Sequence, residues 1–153
     1  MIAKMKKLIE AERFCVLATV SDNIPHCSLM AYAPEEDCSR LYMTTRRNTV
    51  KYGNMVKNPS VSLLIDTRGE KKSRDKDQRT QALTISGRFE EIVDKTESMK
   101  VGKMLILRHP DLGVFLEHPE SCTFAIEIHS FLHLDGLIDS YYEEVRHWAK
   151  FRK

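Results

Sequence analysis

Residues 14–33 read FCVLATVSDNIPHCSLMAYA, and this stretch predicts two strands joined by a turn. Phe14–Val20 is an unbroken run of apolar and β-branched residues, which is typical of a buried strand. Ser21–Pro25 is rich in turn-forming residues, and His26–Ala33 continues as a second strand. Two strands with so short a connection indicate an antiparallel hairpin.

Further strands follow along the chain. Short apolar runs, or apolar residues at alternate positions, predict four more strands, over 41–45, 61–65, 83–93 and 124–128. Gly87 inside one strand and a phase slip at Ser130–Phe131 beyond another indicate bulges. Six strands in mostly hairpin order favour a mainly β fold, a closed antiparallel barrel with flanking helices, over a parallel α/β sheet.

Apolar residues at helical spacing predict the flanking helices. These helices lie over 2–12, from Asn48 or Thr49 to Asn58, from Asp94 to His109, over 114–116 and at the C-terminus, where Tyr141, Val145, Trp148 and Ala149 share a face. Gly53 costs its helix about 1 kcal/mol relative to alanine, which indicates close packing there. The stretch 68–79 is charged and has no large apolar residue, so we expect a solvated surface loop.

Composition limits the classes of function. The 153 residues suffice for one core, so we expect a single domain over 1–153. The formal net charge of +2 gives no global field that favours nucleic acid or an anionic membrane as a partner. The charged N-terminus and the absence of an apolar run of about 18–20 residues disfavour secretion and a membrane span. Four cysteines without a Cys-x-x-Cys pair suit reduced thiols in the cytoplasm.

The segment Tyr42–Lys51 runs from a predicted strand end into a predicted helix start, and it combines cations with hydroxyls. A phosphate monoester carries about −1.5 to −2 charges and binds cations, hydroxyls and free backbone N–H groups. Arg47 can bind phosphate oxygens in a fork, and Lys51 adds a charge one turn into the helix. The segment therefore fits either a phosphate site or a solvated basic loop.

Four segments together carry a family resemblance. They are Ile24–Tyr32, Leu41–Thr45, Thr49–Lys51 and Lys57–Leu64. In order and spacing, across about residues 8–93, the chain resembles the split-barrel family that binds flavin mononucleotide (FMN) and is typified by pyridoxamine 5'-phosphate oxidase. The resemblance implies a six-stranded antiparallel split barrel, a homodimer and FMN bound where the two subunits meet.

The resemblance also implies site residues. It implies that Lys51 and Arg47 contact the FMN phosphate, with Thr45 and Thr49 as hydroxyl donors. It places Ser28, Leu29, Met30 and Thr44 along the flavin ring, and Gln81 as a contact from the neighbouring subunit. Core packing is the alternative reading of Leu29 and Met30. No catalytic residue is identified, and the spacing of the six histidines predicts no metal site.

Two functions follow as expectations. The first is an FMN-dependent oxidoreductase that acts on a small molecule. Its substrate is not expected to be pyridoxamine phosphate, because Arg146-His147-Trp148 does not reproduce the family's C-terminal substrate motif. The second is a haem- or flavin-binding protein for storage, stress response or sensing, without turnover, in which His133 is the candidate haem ligand.

Overall fold

The computed structural model describes residues 2–68 and 79–145, which form one antiparallel sheet and its flanking helices. In chain order the elements are α1 (Ile2–Ala11), β1 (Phe14–Ser21), β2 (Ile24–Ala31), β3 (Ala33–Pro34), β4 (Arg40–Arg46), α2 (Val50–Lys57), β5 (Ser60–Asp66), β6 (Gln81–Glu91), α3 (Lys95–Arg108), α4 (Leu112–Leu116), β7 (Ser121–Asp135) and β8 (Asp139–Glu144).

The strands form a single sheet in the order β2-β1-β5-β6-β7-β4-β3, and β8 pairs with β7. The sheet curls into an open half-barrel, so the mainly β split-barrel expectation is confirmed, whereas the expected full closure is not seen among the described strands. All six predicted strands are present. The pattern missed β3 and β8, because one is only two residues long and the other resembled a helix.

The predicted C-terminal helix is wrong where the structure describes it. Asp139–Glu144, which includes Tyr141, is strand β8 and pairs in register with β7. Gly136 adopts a φ of 75° in the connecting turn, and this left-handed conformation suits a tight reversal of the chain. Strand β4 pairs with only the first half of β7, so the second half offers a free edge to β8. Trp148 and Ala149 lie outside the described residues.

The main core lies inside the curled sheet. Alternate residues of β1 and β5, such as Leu17 and Leu63, point into it, as the period of two requires. Helix α1 closes one end with Met5, Leu8 and Ile9, all buried. None of the helices in 2–68 and 79–145 is long and apolar enough to cross a bilayer.

Helix α3 covers the outer face of the sheet near β4. Its Val101 and Leu105 pack with Tyr42 and Ala125 in a second, smaller apolar cluster. Leu41 of the same strand belongs to the main core. Strand β4 is therefore buried on both faces, which requires apolar side chains at consecutive positions rather than at alternate ones.

Gly87 lies at the bulge between β6 and β7, where the register shifts. A Cβ at this position would lie 2.5 Å from the carbonyl oxygen of Glu127, which is closer than van der Waals contact allows. The predicted bulge is therefore confirmed, and the close approach of two backbones explains the glycine. Gly53 differs, because an added Cβ there meets nothing within 4 Å and the expected close packing is absent.

Gly87→Ala should destabilise the fold by about 1–3 kcal/mol, because the methyl group overpacks the sheet. Gly53→Ala is the matched control and should be neutral or stabilising by up to about 1 kcal/mol, since it removes a glycine from a helix without a clash. Urea unfolding of both variants checks this expectation. Equal stability of the two variants would contradict the backbone approach at Gly87.

Candidate functional site

The turn between β4 and α2 is built around Thr49. Its side-chain oxygen accepts a hydrogen bond from the Tyr52 N–H at 3.3 Å, so Thr49 is the N-cap and the predicted helix start is confirmed. The Thr49 hydroxyl donates to the Arg46 carbonyl at 2.8 Å and lies 3.2 Å from the Thr45 hydroxyl. These contacts hold the end of β4 against the first turn of α2.

A cavity of about 400 Å³, here called the Thr49 cavity, opens beside this turn. Its polar end is formed by residues of β4, the turn and α2, namely Thr44, Thr45, Arg46, Thr49 and Lys51. Its apolar wall is formed by Leu29, Met30 and Ala31 of β2 and by Leu112 and Phe115 of α4. The cavity is within the size range of ligand sites, and it has polar residues at one end and apolar residues along one wall.

Two cations line the polar end. Neither Arg46 nor Lys51 has a carboxylate partner among the residues the structure describes. The Arg46 guanidinium lies over the Phe115 ring, with 5.1 Å between its Cζ atom and the ring centroid. Its buried Nε atom has no hydrogen-bond partner in 2–68 or 79–145. Two cations without carboxylate partners in the described ranges, at one end of a cavity, favour an anionic ligand.

Arg47 points away from this cavity. Its guanidinium forms an ion pair with Glu91 at 2.9 Å and donates to the Ser121 carbonyl at 3.3 Å. The hydrogen bond to Glu91 raises the pKa of Arg47, because the carboxylate stabilises the positive charge of the guanidinium. Glu91 also accepts a hydrogen bond from the Tyr52 hydroxyl at 3.0 Å. Arg47 and Lys51 therefore do not share a pocket.

Most of the residues predicted for the site come together. Leu29, Met30, Thr44, Thr45, Thr49 and Lys51 line the Thr49 cavity, whereas Ser28, Arg47 and Gln81 do not. The Gln81 N–H donates to the Thr67 hydroxyl at 3.0 Å, and its side-chain oxygen lies 3.4 Å from Nε2 of His133. The described chain thus supplies no direct contact between Gln81 and this cavity.

Four lining residues were missed by sequence reasoning, namely Ala31, Arg46, Leu112 and Phe115. Arg46 was passed over in favour of its neighbour, because spacing alone does not show which of two adjacent arginines faces a cavity. Leu112 and Phe115 follow α3 in the chain but return to the turn before α2. Leu112 lay outside the predicted helices, and Phe115 lay in the predicted helix over 114–116, where an apolar residue is equally typical of core packing.

Comparison with protein families gives a match over most of the chain. A family model described as pyridoxamine 5'-phosphate oxidase matches residues 1–113. The chain belongs to this family. The match includes every residue that lines the Thr49 cavity except Phe115. A comparison with curated protein sequences gives no significant match.

Solved structures share the fold of this member of the pyridoxamine 5'-phosphate oxidase family. A FAD-binding protein from Mesorhizobium loti has a TM-score of 0.70 and 20% identity, with coverage of 87% of this chain and 93% of that chain. General Stress Protein 26 from Bacillus anthracis has a TM-score of 0.68 and 22% identity, with 94% and 97% covered. At identities this low, the similarity shows the fold.

A haem-binding protein from Mycobacterium smegmatis also shares this fold. Its TM-score is 0.77 and its identity is 12%, with coverage of 94% of this chain and 58% of that chain. This chain therefore spans little more than half the length of the haem-binding protein. Flavin-binding and haem-binding proteins thus use the same architecture.

Replacing Thr49 tests the N-cap. Thr49→Ala should destabilise the protein by about 1 kcal/mol, because the Tyr52 N–H loses its acceptor. Thr49→Ser keeps the side-chain oxygen and should retain most of the stability. Urea unfolding of both variants measures the difference, and equal losses would show that the hydroxyl is not the cap.

Proposed function

We propose that this chain binds FMN in the Thr49 cavity and is an FMN-dependent oxidoreductase acting on a small molecule. One observation carries the proposal: Arg46 and Lys51 have no carboxylate partner among the described residues and lie at the polar end of a cavity with an apolar wall. FMN has the same division, since its phosphate is charged and its ring system is planar and largely apolar.

The polar end fits the phosphate. Val50 and Lys51 occupy the first turn of α2, where backbone N–H groups have no partner inside the helix and the helix dipole is positive. The Arg46 guanidinium lines this end of the cavity and supplies charged N–H donors. Lys51 adds a second positive charge. We therefore assign the phosphate to Arg46 and Lys51, with Thr45 beside them, and not to Arg47.

The apolar wall fits the ring system. Leu29, Met30 and Phe115 offer flat or flexible apolar surface on two sides of the cavity. When bound, FMN would supply the electron- or hydride-transfer chemistry. No carboxylate or imidazole is among the described residues that line the cavity, so the protein's part in this proposal is to bind and orient.

A second copy of the chain would complete the site. Leu29 is 74% exposed and lines both the Thr49 cavity and a neighbouring hollow of about 460 Å³. Phe14, Val16 and Leu64 add apolar surface to that hollow. Burying such a patch favours association. We therefore propose a homodimer with the cofactor at the interface, where Ser28 and the partner's Gln81 would be near the ring.

Haem is the alternative ligand, and the Thr49 cavity gives it less support. His133 is only 1% exposed, and its Nε2 atom lies against Gln81. Burial lowers the pKa of His133, so the ring is neutral but presents no nitrogen at the surface. Haem ligation by His133 would require this part of β7 to rearrange.

The cysteines bear on the cellular compartment. All four are free thiols, and burial raises the pKa of Cys15 to about 12 and that of Cys122 to about 11. Both thiols therefore stay protonated at neutral pH. Free thiols are typical of reducing compartments, so we propose that the protein acts in the cytoplasm.

Flavin titrations test the phosphate assignment. Arg46→Ala and Lys51→Ala should each weaken FMN binding by about 10- to 100-fold, because each removes a charge-assisted contact. Riboflavin lacks the phosphate, so its affinity should change little in the same variants. Arg47→Ala is the matched control and should leave FMN affinity nearly unchanged. Quenching of flavin fluorescence gives these affinities.

Two results would overturn the FMN proposal. One is a wild-type protein that ignores added FMN but develops a haem absorbance band that His133→Ala abolishes. The other is an equal loss of FMN affinity in Arg46→Ala and Arg47→Ala, which would reject the assignment of the phosphate to the Thr49 cavity.

Sedimentation tests the dimer. The wild-type protein should sediment as a dimer at micromolar concentration, and Leu29→Glu should give a monomer with weaker FMN binding, because the charge would be buried in the interface. Leu107→Glu is the control, since Leu107 is equally apolar and 87% exposed but lies on α3. A wild-type monomer would reject the interface.

A further inference from the structure

A second and larger cavity, of about 680 Å³, lies between α3 and the end of the sheet. It is here called the α3 cavity. One side is the face of α3 from Lys95 to Ile106, and the other is formed by β7 residues 121–123. Ile92, Val93 and Leu116 complete an apolar wall. Neither the flavin proposal nor the family match assigns a role to this space.

Gly102 lies in the middle of the helical wall. A glycine inside a helix costs about 1 kcal/mol relative to alanine. Close packing does not explain this residue, because a Cβ built on Gly102 meets nothing within 4 Å. Gly102 instead lines the α3 cavity, where a side chain would occupy part of the space.

The charged residues that line the α3 cavity are all positive. Its lining residues include Arg47, Lys95 and Lys103 and no acidic side chain in the described ranges. Arg47 forms an ion pair with Glu91, which does not itself line the cavity. Lys95 and Lys103 are exposed and have no carboxylate partner in the described part of the chain. A cavity with apolar walls and cations at its mouth favours an anion with an apolar body.

The α3 cavity is separate from the Thr49 cavity. Phe115 lines the Thr49 cavity, whereas Leu116, the next residue of α4, lines the α3 cavity. Arg46 and Arg47 are divided in the same way. Helix α4 and the paired ends of β4 and β7 therefore form a wall between the two, and each can hold its own ligand.

We propose that the α3 cavity binds a small organic carboxylate whose body is aromatic or acyl. The carboxylate lies toward Lys95 and Lys103, and the apolar body lies against Met99, Ile106 and Leu116. A monoanion suits this site better than a phosphate, because Glu91 already neutralises the third cation, Arg47.

The test is a titration of the full chain, saturated with FMN, with 2-naphthoate as the probe. The neutral isostere 2-naphthamide is the control ligand. Amide chemical shifts in ¹⁵N NMR spectra should move at Gly102 and Ser98 and not at Thr49 or Lys51. Naphthoate should bind about tenfold more tightly than naphthamide, since the lysines recognise its charge. The amides that shift identify the cavity, so this result does not depend on whether FMN binds.

Variants separate the apolar and the charged contributions. Gly102→Leu fills the cavity and should weaken naphthoate binding by about tenfold or more. Gly53→Leu, at a helix position where an added Cβ also meets nothing within 4 Å, should not. Lys95→Gln with Lys103→Gln should weaken naphthoate but leave naphthamide unchanged. Lys100→Gln, on the same helix but outside the lining, is the charge control.

Three results would overturn the proposal. The first is naphthoate binding that Gly102→Leu leaves intact. The second is a set of amide chemical-shift changes confined to residues of the Thr49 cavity. The third is an unchanged Gly102 amide shift because a second copy of the chain covers this residue. In the last case Gly102→Leu would change the sedimenting mass instead.

Discussion

The pairing of β4 with β7 is the constraint on which both cavities depend. It runs without interruption from Arg40–Glu127 to Arg46–Ser121. Strand β4 is buried on both faces, by the main core and by the cluster under α3. A slip of one residue would exchange its two faces and bury the wrong side chains. The direction of each side chain at the end of β4 is therefore set by the whole strand.

This constraint divides two adjacent arginines between two environments. Arg46 enters the Thr49 cavity, with Phe115 beneath its guanidinium and no carboxylate nearby in the described chain. Arg47 turns to Glu91 and borders the α3 cavity. One dipeptide thus supplies a cation to each of two sites, and β7 and α4 form the wall between them. The flavin proposal and the carboxylate proposal rest on the same geometry but on different residues.

Much of the fold followed from local patterns. Six strands and the Thr49 cap depend on residues close in sequence, and the structure confirms them. The bulge at Gly87 is also confirmed, although its cause is the backbone of β7. The failures were of another kind. Tyr141 has helical spacing to the apolar Val145, but pairing with the free edge of β7 makes this segment a strand. Gly53 and Gly87 are both interior glycines, yet only Gly87 meets another backbone.

The sequence by itself determined that a mainly β chain carries hydroxyls and cations between a strand and a capped helix, because these features depend on neighbours a few residues apart. Thr45, Thr49 and Lys51 were found in this way, and the structure brings them to one cavity. Only the tertiary structure decided that Arg46, and not Arg47, joins them. The physical reason is that the orientation of β4 is set by its register with β7, which lies some 75–90 residues further along the chain.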